Sequence, residues 1–207
     1  MERLICLIVG YCFGLIQTSY YLGRMKGFDI RKKGSGNAGA TNTIRTMGWK
    51  MGIITLLADV FKCIAAVLIM RFVFRSSDIS LLLGMYAAAG VILGHNFPFY
   101  LGFRGGKGIA ATVGMILAFG DWRLMIAGVI CFFVPFLITR YVSLGSLSLS
   151  ASFIVGMIIS GQMGNYSMTQ DRLIEMYVIT AALIALAYWR HRANIKRIIS
   201  GNESKLF

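Results

Sequence analysis

Three stretches of this chain set fixed cations beside glycines and small amide or hydroxyl side chains. The first is Gly34-Ser35-Gly36-Asn37-Ala38-Gly39-Ala40-Thr41-Asn42, followed by Arg45 and Gly48. The second runs from Gly94-His95-Asn96-Phe97-Pro98 through Phe103-Arg104-Gly105-Gly106-Lys107-Gly108. The third is His191-Arg192-Ala193-Asn194-Ile195-Lys196-Arg197. Cations neutralise an anion, amides and hydroxyls give it directional hydrogen bonds, and glycines let backbone N–H groups turn toward it. That is the chemistry of holding phosphate. One such stretch reads equally well as a loop that merely carries charge; three on one predicted face favour a site.

Two familiar phosphate motifs do not fit. Gly34, Gly36 and Gly39 satisfy G-x-G-x-x-G, but Arg31-Lys32-Lys33 precede them where a dinucleotide fold requires a β-strand. Gly106-Lys107 resembles part of a P-loop, yet Leu101 stands at the first glycine position and Gly108 at the Ser/Thr position. Protein bases are also scarce. No G-x-S-x-G elbow occurs. The His-x4-Asp spacing used by many acyltransferases is broken by Tyr100 after His95 and by Lys196 after His191. Catalysis by such a set would rest on positioning and charge neutralisation, with an already activated substrate.

The elements that carry these stretches are apolar. Of 207 residues 57% are hydrophobic and 14% charged, and the mean hydropathy is +0.71. Disorder is excluded, and so small a soluble domain could not hide that much apolar surface. Seven apolar stretches read as helices, at 4–23, 52–70, 79–100, 108–120, 122–139, 143–163 and 173–189. Six approach the roughly 20 residues that a span requires, and 108–120 is short or half-spanning. The expectation is an all-α integral membrane protein of about seven helices, forming one domain over 1–207.

The formal charge of +13 lies mostly between the apolar runs, which suits a membrane face and anionic small molecules rather than nucleic acid. With the N-terminus outside and all seven stretches crossing, the inner side holds Arg24, Lys26, Arg31, Lys32, Lys33, Arg45, Lys50, Arg104, Lys107, Arg140 and five tail cations. Only Arg3, Arg71, Arg75, Arg123 and Arg172 fall outside. The positive-inside rule therefore places the C-terminus and all three cationic stretches in the cytoplasm. Within the second span, Asp59 and Lys62 share a helix face and predict an ion pair or an orienting role toward the first loop. Ser143, after Arg140, reads as a helix cap or a ligand contact. The small residues of 143–152 predict close helix packing. Pro98 and Pro135 each predict a kink. The four cysteines read as buried small hydrophobes with no metal-like spacing.

The strings GSGNAGATNTIRTMG (34–48), GHNFPFYLGFRGGKGIAAT (94–112) and NIKRIISGNES (194–204) resemble those of the acyl-phosphate-dependent glycerol-3-phosphate acyltransferases of bacterial membranes. Asp59 with Lys62, and RYVSLGS at 140–146, are similar as well. Arg104 stands where relatives often have lysine. The resemblance implies transfer of a fatty acyl group from acyl phosphate to the 1-hydroxyl of glycerol 3-phosphate. The products are lysophosphatidic acid and inorganic phosphate. It implies an enzyme of the bacterial inner membrane whose site faces the cytoplasm. No cofactor, metal or stable protein partner is expected beyond the two substrates and the bilayer, and no nucleic acid.

On that reading Ser35, Arg45 and Lys107 are catalytic. Gly36, Asn37, Gly39, Thr41, Asn42, His95, Arg104, Gly105, Gly106, Ser143, His191, Asn194 and Lys196 bind substrate. Two rival readings are a transporter of small phosphorylated anions and a scaffold that binds anionic lipid. The first lacks the internal repeat expected of it, and the second has no use for the Asn-Ala-Gly-Ala-Thr-Asn string.

Overall fold

The computed structural model describes residues 1–206, all helices and loops with no strand among them. In chain order the helices are α1 (Glu2–Gly14), α2 (Thr18–Met25), α3 (Ala40–Met47), α4 (Trp49–Val73), α5 (Ser80–Asn96), α6 (Ile109–Phe119), α7 (Trp122–Thr139), α8 (Val142–Gln162), α9 (Gln170–Arg190) and α10 (Arg192–Ile199). Six helical segments are long and apolar enough to cross a bilayer: Glu2–Met25, α4, Ser80–Leu101, α7, α8 and α9. The eleven residues of α6 reach only about 16 Å, half the hydrocarbon thickness, as the short fourth stretch anticipated. Large side chains such as Phe61, Phe72, Leu137 and Ile138 are exposed, while Asp59 and Lys62 are buried. Apolar outside with charge inside is the pattern of a protein whose solvent is lipid. The chain is an all-α integral membrane protein. Its helices gather into two compact units, Met1–Ala118 and the remainder from Phe119.

In the first unit α1 lies directly on α5. A Cβ on Gly10 or Gly14 would strike the carbonyl of Ala87 or Val91, and one on Gly90 or Gly94 would strike that of Leu7 or Tyr11. Two glycines four apart on each helix bring the backbones together, where dispersion contacts replace the hydrophobic effect as the source of association. Gly90→Val therefore forces the helices apart. Overpacking of this kind costs about 1–3 kcal/mol, so its thermal transition in detergent is expected well below the wild type, with Gly90→Ala between the two.

The apolar stretch 4–23 is not one helix. It breaks at Leu15–Gln17, and side chains from elsewhere take each exposed carbonyl. Gln17 Nε2 donates to Gly14 O (3.1 Å), the Tyr100 hydroxyl to Leu15 O (2.6 Å), and Lys62 Nζ to Ile16 O (2.7 Å). A break inside an apolar segment persists only when its freed backbone groups are satisfied within the protein. Those partners are 46 and 85 residues away in two cases, which is why local hydropathy did not reveal it. Pro98 also departs from expectation: it follows the end of α5 and opens the 3-10 turn Phe99–Leu101 rather than kinking a helix.

In the second unit α7 and α8 pack closely at Gly145, where a Cβ would meet Phe132 O at 2.6 Å. The small-residue run of α8 thus serves packing, as its composition predicted. Ser146 and Ser150 satisfy their hydroxyls on the carbonyls of Val142 and Ser146, both at 2.8 Å. Pro135 does sit inside α7. Cys6 and Cys63 are buried, but Cys12 is exposed and Cys131 half-buried, because lipid-facing positions accept a small apolar side chain as readily as the core does.

Candidate active site

The first cationic stretch folds as a tight loop against the start of α3. Asp29 opens a 3-10 turn and accepts from Arg31 N at 2.9 Å. Arg31 grips the same carboxylate with two nitrogens, Nε to Oδ1 at 3.0 Å and Nη2 to Oδ2 at 2.7 Å. That bond holds the Asp29 carboxyl below its usual range. Arg31 Nη1 then reaches Leu101 O at 2.7 Å, so this cation joins the first loop to the second and is not left for a ligand.

Asn42, fully buried, accepts from Ser35 N at 2.8 Å and donates to Lys33 O at 3.0 Å and Ile30 O at 3.3 Å. Its amide shapes the loop from within, whereas the sequence reading placed it against substrate. Gly34 has φ +57° and a Cβ there would fall on Asn42 Oδ1, so the turn admits only glycine. Ser35, Gly36 and Arg45 are exposed, and Asn37 and Thr41 half-buried. Gly39 is the N-cap of α3 and has no side chain to cap it. The first-turn amides of α3 have no acceptor within the helix and add a positive dipole end. Thr41 and Arg45 stand on one face of α3.

The second loop folds back on α5. Gly105 N donates to Asn96 O at 3.1 Å and Gly106 N to His95 O at 3.0 Å. These two amides cap the end of α5. Their lack of a side chain has another cause. A Cβ on Gly105 would strike His95 O, and one on Gly106 would strike His95 Nε2 and lie 2.8 Å from Ala38 O. Ala38 belongs to the first loop, so residues 38, 95 and 106 form a seam where the two loops meet. Lys107 emerges half-buried just past it, and Arg104 is exposed. Gly106→Ala is expected to spread the seam and cost about 10² in kcat/KM, the scale of an ångström of misplacement, which steady-state kinetics on the folded variant would read.

His95 is buried, and its Nδ1 lies 3.0 Å from Lys62 Nζ. Lys62 also contacts Asp59 Oδ1 at 2.7 Å. The expected ion pair is present. It underlies the second loop through His95 and the α1–α2 break through Ile16.

The third stretch lies in the second unit, where a buried carboxylate organises it. Glu203 Oε1 accepts from the Ser143 hydroxyl (2.9 Å) and Asn194 Nδ2 (2.6 Å), and Oε2 from Arg197 Nε (2.8 Å). Burial pushes this carboxyl up, but the bonds from Asn194, Arg197 and Ser143 outweigh it and hold it below its ordinary value. Leu206 N donates to Arg140 O at 3.1 Å, so the tail folds back over the α7–α8 turn. Ser143 is consequently not a helix cap; the N-cap of α8 is Tyr141. Buried His191 sits at the α9–α10 junction with Nδ1 2.8 Å from Ala187 O. Lys196 is exposed.

Residues 4–201 match the family model described as glycerol-3-phosphate acyltransferase. The chain belongs to that family. It is similar to the glycerol-3-phosphate acyltransferase of Clostridioides difficile, 41% identical with 98% of this chain and 95% of that one covered. The relative from Halalkalibacterium halodurans is 38% identical, with 97% and 94% covered. Among solved structures it resembles PlsY, an integral membrane glycerol 3-phosphate acyltransferase. The glycerol 3-phosphate form gives a TM-score of 0.85 at 29% identity over 99% of this chain and 96% of that one. The lysophosphatidic acid form gives 0.82 at 29% identity over 99% and 95%. All three strings that resembled these acyltransferases lie within the matched span but for the last residues of the third. Sequence reasoning missed Gln17 and gave Arg31 and Glu203 no role at the site. Glu203 lay within the third string, and a lone carboxylate among five tail cations was the available signal.

Proposed function

We propose that this acyltransferase takes its acyl group from acyl phosphate and delivers it to the 1-hydroxyl of glycerol 3-phosphate. The observation that carries this reading is the seam, which joins two cation-bearing loops and offers no protein carboxylate as base: Asp29 is engaged by Arg31 and Asp59 by Lys62. A mixed anhydride is already activated and brings a phosphate oxygen that can take the hydroxyl proton in place of a side chain. Ser35, the first-turn amides of α3 and Arg45 hold one phosphate, with Gly36, Asn37, Gly39 and Thr41 shaping and lining that loop. Lys107 and Arg104 hold the other. His95 orients glycerol 3-phosphate; in the third stretch Asn194, with His191, Lys196 and, through Glu203, Ser143 near it, is read from the sequence as a substrate-binding group.

The acceptor hydroxyl oxygen attacks the acyl carbonyl carbon and a new C–O bond forms. The bond between that carbon and the phosphate oxygen breaks, and phosphate leaves with the electron pair. A substrate phosphate oxygen takes the hydroxyl proton. The cations stabilise the oxyanion and the leaving group. The enzyme works in the inner membrane with its N-terminus outside and the Ser35 and Lys107 loops, which precede α6, in the cytoplasm, on the charge asymmetry above.

The test offers the purified protein long-chain acyl phosphate and acyl-CoA of one chain length, each with glycerol 3-phosphate. Acyl phosphate alone should yield 1-acylglycerol 3-phosphate. Equal use of acyl-CoA, or a 2-acyl product, would overturn the donor or the regiochemistry respectively.

A further inference from the structure

Beneath the seam lies a group of three buried ionisable side chains. Asp59, Lys62 and His95 are at most 5% exposed, on α4 and the end of α5. A lysine ammonium has three N–H donors and no acceptor. Lys62 has three partners: Ile16 O at 2.7 Å, Asp59 Oδ1 at 2.7 Å and His95 Nδ1 at 3.0 Å. Each donor is thereby assigned. His95 Nδ1 must supply a lone pair, and Asp59 at 3.6 Å is too far to take a proton from it directly. The neutral ring then carries its proton on Nε2. The backbone of His95 is fixed as well, since its carbonyl accepts from Gln17 Nε2 at 3.0 Å and from Gly106 N at 3.0 Å. A Cβ on Gly106 would meet Nε2 and also lie 2.8 Å from Ala38 O, so this nitrogen sits at Gly106 where the loops meet.

We infer that Asp59 and Lys62 are positioning residues for acyl transfer: they lock His95 as the Nε2–H tautomer and so fix one N–H donor at the seam between the Ser35 loop and the Lys107 loop. The inference rests on the acyltransferase reading of that seam. Asp59 supplies the charge that keeps an ammonium buried, Lys62 selects the tautomer, and His95 passes that choice to the loops. No member needs to touch substrate other than through the imidazole. The same ammonium stabilises the α1–α2 break, so the break and the seam are set by one side chain.

His95 and His191 are the only two histidines, and their geometries predict opposite tautomers. His191 Nδ1 faces a carbonyl that can only accept, so its proton sits on Nδ1. The full-length protein labelled with 15N and 13C in histidine, in lipid nanodiscs at neutral pH, is expected to show one ring of each tautomer, with His95→Gln assigning them. In Asp59→Asn/Lys62→Gln, which removes both buried charges and keeps the volume, the Nε2–H ring is expected to become a tautomer mixture. The kcat is expected to fall about 10²-fold, the scale of lost orientation, with KM for the acyl donor changing less than threefold. A wild-type His95 protonated on Nδ1, or on both nitrogens, overturns the inference without need of any variant. So does a folded double variant that loses the tautomer and keeps its kcat. Failure of the acyltransferase reading would look different: no product from the wild type with both substrates, whatever the spectrum.

Discussion

Arg45→Ala and Lys107→Ala each lower kcat by about 10²–10³ in the purified enzyme, with the thermal transition little changed. Arg45 is exposed in the last turn of α3 and Lys107 half-buried beyond Gly106, so neither truncation opens a core cavity. Each is proposed to hold one substrate phosphate beside the carbonyl where oxyanion and leaving-group charge grows, and an interaction with that growing charge acts on the transition state more than on substrate binding. The loss should therefore appear in kcat and in kcat/KM together. Arg45→Lys keeps the charge and loses the planar fork, so part of the rate returns. Near-normal turnover in both alanine variants would remove these residues from the chemistry and leave the seam as a binding surface only.

Glu203→Ala releases the C-terminal tail. Its carboxylate holds Ser143, Asn194 and Arg197 at once, and each buried donor left unpaired costs about 1–3 kcal/mol. A lowered thermal transition, rapid proteolytic cleavage after α10 and lost activity are expected together, because Asn194 loses the contact that orients it. Glu203→Gln keeps an oxygen for Ser143 and Asn194 and falls between. The pH dependence follows from the depressed folded value. The stabilisation is complete above the ordinary glutamate value of 4.5 and fades as pH falls through the lower folded value. Tail cleavage in the wild type should accelerate only in acid, and Glu203→Gln should lack that acid dependence. A wild-type tail equally protected on both sides of that range would contradict the role given to the carboxylate.

Much of the fold was legible because hydropathy is a local property: 122–139 coincides with α7, and five of the other six apolar stretches match helices to within a few residues. The short polar helices α3 and α10 were not seen, since eight residues make barely two turns and give too little periodicity to read. The break at Leu15–Gln17 was hidden because Lys62 and Tyr100, which satisfy it, lie far along the chain. At the candidate site, residue types marked out the loops but not the division of labour within them. Glycine signals freedom from a side chain; it does not say whether its N–H turns to a ligand or, as at Gly105 and Gly106, to the end of α5. Asn42 looks like a ligand group in one dimension and fastens the loop from within in three, as Arg31, given no role by the sequence, fastens the first loop to the second. Asp59 and Lys62 announced a pair by spacing alone, yet the imidazole that completes the set is 33 residues away.

The most direct test of acyl transfer from acyl phosphate is a stoichiometric one. Purified, lipid-supplemented protein is given long-chain acyl phosphate, with and without glycerol 3-phosphate, while inorganic phosphate and lysophosphatidic acid are counted in the same sample. The expected result is one phosphate per lysophosphatidic acid and negligible phosphate without the acceptor. Phosphate released at the same rate in its absence, or lysophosphatidic acid formed with no phosphate, would contradict the mechanism outright.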